Sequence, residues 1–204
     1  MINLLWKDYC FSKKWIGFAA VYGIILAFIM FREAENQMFF VYFLIPFFVV
    51  LFPLGKLMNM EDARDTREFL KRMPYPSGKR VFARVLYIVM LLLISFLCID
   101  VVEWAVFGRG QSVEKFLFEI TVMLAFFAYF MLQLAVFYKI SYHAAQMSIA
   151  FVMFFVMALS FLMKSFQIEI SPGVRGNGIV IGALIILDVL MFAAACWCEE
   201  TSDN

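Results

Sequence analysis

The chain has 204 residues, 65 % of them apolar and 16 % charged, with a net charge of +1. Soluble domains carry roughly 45–50 % apolar and about 25 % charged residues. A water-soluble fold of this size is therefore excluded, and lipid must be the solvent for most of the apolar surface, 26 phenylalanines included.

Residues 1–14 open the chain. Ile2, Leu5, Trp6 and Tyr9 recur at helical spacing, with Asn3, Lys7, Asp8 and Lys14 on the other face. Trp6, Tyr9 and Trp15 are the aromatic types that settle at the headgroup level, so this segment reads as an amphipathic helix lying on the membrane surface. The long apolar run behind it, with no small-residue cleavage site, argues against a signal peptide. Six spans follow, over residues 15–31, 38–57, 81–107, 116–137, 144–163 and 179–197. Pro46 and Pro53 lie inside the second and predict a kink or a broken turn. Pro172 and the glycines of residues 164–178 mark an irregular connector before the last span. The expected fold is an all-α polytopic membrane domain over residues 1–204, with both termini on one side.

Charge distribution selects the side. With the N-terminus inside, the inner segments hold Lys7, Lys13, Lys14, Lys56, Arg64, Arg67, Lys71, Arg72, Lys79, Arg80, Arg84 and Lys139. The outer segments hold only Arg32, Arg109, Lys115, Lys164 and Arg175. The excess of Lys and Arg on cytoplasmic loops puts both termini in the cytoplasm.

The polar island between spans two and three is the richest stretch. Residues 60–73 read as a helix that Asn59 can N-cap, with Asp62 near the positive end of the dipole. Acids occupy its first turn and bases its last. Glu68 can pair with Lys71 or Arg72, and Pro74 and Pro76 end it. Charges that alternate in sign suit a protein partner better than anionic lipid.

The pattern Asp62, Thr66, Glu68, Phe69, Leu70, Pro74, Ser77 and Lys79/Arg80, together with the opening MINLLWKDYCFSKKW and the six spans, resembles the small bacterial ABC-2 type permeases, the membrane subunits of ABC exporters. The resemblance covers the full length; Pro76 and Gly78 are individual to this chain. It implies that residues 60–73 form a coupling helix docking on an ATPase through Glu61, Asp62, Arg64, Asp65, Arg67, Glu68, Phe69, Leu70, Lys71, Arg72 and Met73. It implies a second contact at Lys139 and His143. It also implies two ATPase subunits, a second copy or related permease, contact with membrane lipid, and residence in the bacterial cell membrane. The chain carries no Walker A or other Gly-rich phosphate loop. ATP and Mg are thus expected on the partner, with no cofactor, catalytic residue or nucleic-acid contact in this chain. The implied cargo is an amphipathic peptide or a lipophilic compound.

Acids at membrane depth are candidates for the translocation path: Asp100 and Glu103 in span three, Glu119 in span four, Asp188 in span six. The plainer reading has Glu103 and Glu119 solvated near the interface or paired with Arg109 or Lys115, and Asp188 bonded to a neighbouring helix. Gly178 and Gly182 form a Gly-x-x-x-Gly pair, a common and weak packing signal. Cys10, Cys98, Cys196 and Cys198 lack the Cys-x-x-Cys spacing of a zinc site and read as free thiols. His143 stands without a Cys, Asp or Glu near it in sequence, and Glu199 and Glu200 lack the histidines a metalloprotease needs. Two rivals remain: a non-transporting membrane scaffold or regulator that binds a cytoplasmic protein, and an ATPase-independent channel or carrier.

Overall fold

The structure, a computed structural model, describes residues 2–33, 38–62, 66, 76–108, 113–148 and 178–202. These residues form helices and no strand: α1 (Ile2–Glu33), α2 (Met38–Asp62), α3 (Ser77–Phe107), α4 (Val113–Lys139), α5 (142–148) and α6 (Gly178–Ser202). Thr66 is also helical. Five segments are long and apolar enough to cross a membrane: Asn3–Phe31, Val41–Asp62, Gly78–Val106, Lys115–Lys139 and Val180–Thr201. They match five of the six expected spans. The expected fifth, 144–163, lies outside the described residues beyond 148.

α1 packs on α2 and α3, α2 on α3 and α4, and α6 mainly on α4. Two apolar clusters fill these seams. The larger joins α2, α3 and α4 and reaches Ala195 of α6. At its centre Phe47 lies against Phe126, Tyr129 and Phe130, with ring centroids 6.4, 6.0 and 6.5 Å away. The smaller joins Ala19, Ala27 and Phe31 of α1 to Ile45 and Val49 of α2 and to Phe96, Ile99 and Val102 of α3. A Cβ at Gly23 would sit 2.9 Å from Val49 Cγ2, so glycine lets α1 and α2 approach there.

Turn chemistry shapes the ends. Gly108, at φ 60°, ends α3 in the left-handed region, and its N–H donates to the Trp104 carbonyl at 2.9 Å. Ser141 begins α5 by accepting, through Oγ, the N–H of Ala144 at 3.3 Å. The connection between the expected fourth and fifth spans is thereby two residues, Ile140 and Ser141.

Three boundaries differ from expectation. Residues 2–33 are one helix, so the N-terminal segment continues the first span instead of turning away from it. No proline lies near Lys14 and Trp15 to break the chain there. Trp6 and Tyr9 are exposed, whereas Leu4, Asp8 and Ser12 point into the bundle. α2 runs unbroken through Pro46 and Pro53, both buried among neighbouring helices, which replaces the expected broken turn. α2 also passes through Asn59 without a cap and ends at Asp62. Buried Leu57 and Met58 carry the helix past the expected boundary.

The N-terminus of α1 and the C-terminus of α6 lie at one end of the bundle, here the termini end. Arg84 of α3 meets Asp8 of α1, and Arg80 of α3 meets Glu199 of α6. The C-terminus of α4 is there too, because Lys139 reaches Thr201 and covers the Trp197 ring. α4 and α6 therefore run parallel. The chain leaves α4 at the termini end and enters α6 at the far end, a return that the sequence reading assigns to the fifth span.

Candidate functional site

At the termini end, three helices contribute a buried set of charges. On α1, Leu4, Asp8 and Ser12 recur every four residues and form one inward stripe. On α3, Arg84 and Tyr87 stand one turn apart beside Val81 and Ile88. On α2, Glu61 continues the stripe of Leu54, Leu57 and Met58. Arg84, 4 % exposed, bridges two carboxylates: Nη2 lies 2.7 Å from Glu61 Oε2 and Nε 3.5 Å from Asp8 Oδ2. Lys7 donates to Glu61 Oε1 at 2.7 Å and lies 3.3 Å from Asp8 Oδ1. Two cations thus face two carboxylates, and the set is formally neutral. The Tyr87 hydroxyl donates to Ser12 Oγ at 2.6 Å, and Ser12 donates in turn to the Asp8 carbonyl at 2.6 Å.

Asp62, next to Glu61, faces another way. Its Oδ2 accepts the N–H of Tyr142, at the start of α5, at 3.3 Å. The start of the segment 60–73 and the 139–143 turn are therefore neighbours, although 80 residues separate Asp62 from Tyr142. Of the second expected contact, His143 is exposed. Lys139 is exposed too and donates to Thr201 Oγ1 of α6 at 3.1 Å. Glu61 is inward and engaged with Arg84 and Lys7. Arg64, Asp65, Arg67, Glu68, Phe69, Leu70, Lys71, Arg72 and Met73 lie outside the described residues.

At the far end, three of the four expected path acids converge on one cation. Lys115 Nζ lies 2.6 Å from Asp100 Oδ1, 2.8 Å from Glu103 Oε2 and 3.4 Å from Glu119 Oε1. Asp100 and Glu103 come from α3, one turn apart; Glu119 follows Lys115 by one turn on α4. Tyr42 of α2 donates to Glu103 Oε2 at 2.8 Å, and its ring stands edge-on to Phe118 at 5.4 Å. One ammonium thus faces three carboxylates, a formal charge of −2 for the four groups. Asp188 of α6 is buried, and neither carboxylate oxygen accepts a hydrogen bond among the described residues.

Sequence reasoning singled out none of Lys7, Asp8, Ser12, Arg84 and Tyr87 as a site. Arg84 carried a usable signal: it lies three residues inside the expected third span, and an ionised group at that depth needs a partner. Asp8 and Ser12 at i and i+4 gave a weaker one.

The family model for the ABC-2 family transporter protein matches residues 3–198. No curated protein and no solved structure matches the chain. ABC-2 permeases generally work with ABC ATPase subunits. The match takes in α1 to α4 and nearly all of α6, and so both charged clusters. The chain belongs to the ABC-2 transporter family: it is a multi-pass membrane protein with the permease role in an ABC transporter.

Proposed function

We propose that this permease is the membrane subunit of an exporter, working as a dimer of identical or related chains on two separate ATPases. Its termini are cytoplasmic, and ATP with Mg is bound and hydrolysed by the partners. The segment 60–73, which begins as the last turn of α2, carries the coupling contact, and the turn around Lys139 and His143 is a second contact. The observation that carries this reading is the bond from the Tyr142 N–H to Asp62. Two segments remote in sequence meet at the end of the bundle that holds the termini, where one partner surface can cover both.

The mechanism is alternating access. Closure of the ATPase dimer pushes on residues 60–73 and reorients the spans about a path between two permease copies. Asp100, Glu103, Glu119 and Asp188 line the outward part of that path for an amphipathic peptide or lipophilic cargo bearing positive charge. Anionic groups in a low-dielectric setting attract such cargo strongly.

Co-expression with an ABC ATPase from the same organism tests this. A complex should purify, and reversing Arg67 and Glu68 together (Arg67→Glu, Glu68→Arg) should split it or uncouple hydrolysis from transport. A permease that never binds an ATPase, and whose function survives the reversal, is instead a scaffold or an ATPase-independent carrier.

A further inference from the structure

We infer that Arg84 is a positioning residue for coupling: it fixes the root of the segment 60–73 to α1 and α3, so that a push there moves three helices together. The inference rests on the coupling role proposed above and adds the route by which force leaves the coupling helix.

Glu61 and Asp62 are consecutive, so their side chains leave α2 about 100° apart. One is held by Arg84 and Lys7, the other by the Tyr142 N–H. The root of the segment is therefore pinned on two sides. Arg84 reaches Glu61 and Asp8 at once, from a third helix, with a fork that a lysine cannot reproduce. Tyr87 adds a second tie from α3 to α1 through Ser12, one turn farther along. Arg80, one turn earlier, ties α3 to α6 with its Nε 2.8 Å from Glu199 Oε1.

α3 then carries the far end as well. Asp100 lies sixteen residues beyond Arg84 on the same helix, about 24 Å at the α-helical rise. There Lys115 joins α3 to α4, and Tyr42 joins it to α2. A displacement of α2 at Glu61 thus reaches the acidic far-end cluster through one stiff helix with ionic joints at both ends.

The residue types favour a positioning role over a merely stabilising one. Taking charges out of water costs much of what their attraction returns, so a packed apolar trio would hold the helices as firmly. A buried charge set adds to apolar packing a directional constraint on the register of the three helices, because a slip would leave its charges unpaired.

The test uses the permease–ATPase complex in lipid nanodiscs. A fluorophore is placed by Val113→Cys, on the exposed start of α4 at the far end, with the four native cysteines replaced. In the parent protein, ATP with Mg should change the fluorescence. Arg84→Gln should leave ATPase binding and hydrolysis in place and abolish the change. Arg84→Lys, which keeps the charge and can engage one carboxylate, should restore part of it and serves as the readout if Arg84→Gln does not fold. A parent-like response in Arg84→Gln overturns the inference. So does a parallel loss of ATPase binding in both variants, which would make Arg84 an assembly residue. If the parent protein binds no ATPase, the coupling reading itself fails and takes this one with it.

Discussion

The Tyr42 hydroxyl, the Lys115 ammonium and the Asp100 carboxylate hold the far-end cluster with different strengths, and single substitutions separate them. Tyr42→Phe removes a buried hydrogen bond to a carboxylate, which costs about 1.5–3 kcal/mol. Lys115→Met removes the ammonium that buried Glu103 and Glu119 share; the expected loss is roughly 3–5 kcal/mol. Asp100 is the most exposed member, with its side chain 27 % exposed, and Asp100→Asn should cost about 1 kcal/mol or less. Thermal unfolding in detergent gives the order: Lys115→Met lowest, then Tyr42→Phe, with Asp100→Asn close to the parent. If the path reading holds, Asp100→Asn should still weaken transport of cationic cargo, because its effect is on local potential and not on stability.

The contact between α1 and α2 depends on one missing side chain. Gly23→Ala would place a methyl 2.9 Å from Val49 Cγ2, a β-branched group with little freedom to turn aside. Overpacking of this kind costs about 1–3 kcal/mol, and Val49→Ala in the same chain should recover most of it. Gly17 lies on the same helix, and a Cβ there would meet nothing within 4 Å. Gly17→Ala should be neutral or gain up to about 1 kcal/mol from helix propensity. Unfolding temperatures of the two alanine variants, moving in opposite directions, check the register of α1 on α2. The same helix keeps its aromatic face on the outside of the bundle: Trp6 and Tyr9 are exposed and Asp8 is inside. Next to lipid the apolar face turns outward, and the polar face goes where ionic partners wait.

The arrangement of helix ends makes a prediction about sidedness. Val113 at the far end and His143 beside the turn after α4 are both exposed and occupy opposite ends of the bundle. With the native cysteines replaced, a membrane-impermeant thiol reagent applied to intact cells should label Val113→Cys and spare His143→Cys. Permeabilised cells should show both. The reverse pattern would put the termini outside and remove residues 60–73 from the reach of an ATPase.

Lipid as solvent, five of the spans and the position of the polar island were all legible in the order of residues. Each depends on the length of an apolar run or on a local count of charge, and partition between water and hydrocarbon responds to those quantities. The far-end acids could be recognised as candidates for the same reason: an ionised group at membrane depth is conspicuous wherever the helix turns. The pairing of Glu103 and Glu119 with Lys115 was legible as the plainer reading, but which charges meet at the termini end was not. Lys7 and Glu61 are 54 residues apart, and Glu61 and Arg84 are 23 apart. Their pairing depends on how α1, α2 and α3 are rotated about their axes. Helices that are apolar nearly all round carry little sequence signal for that rotation. Close packing at Gly23, the aromatic centre around Phe47 and the ionic joints set it together. The tertiary structure alone therefore turned Arg84 from one more base on the inner side into the buried link between three helices.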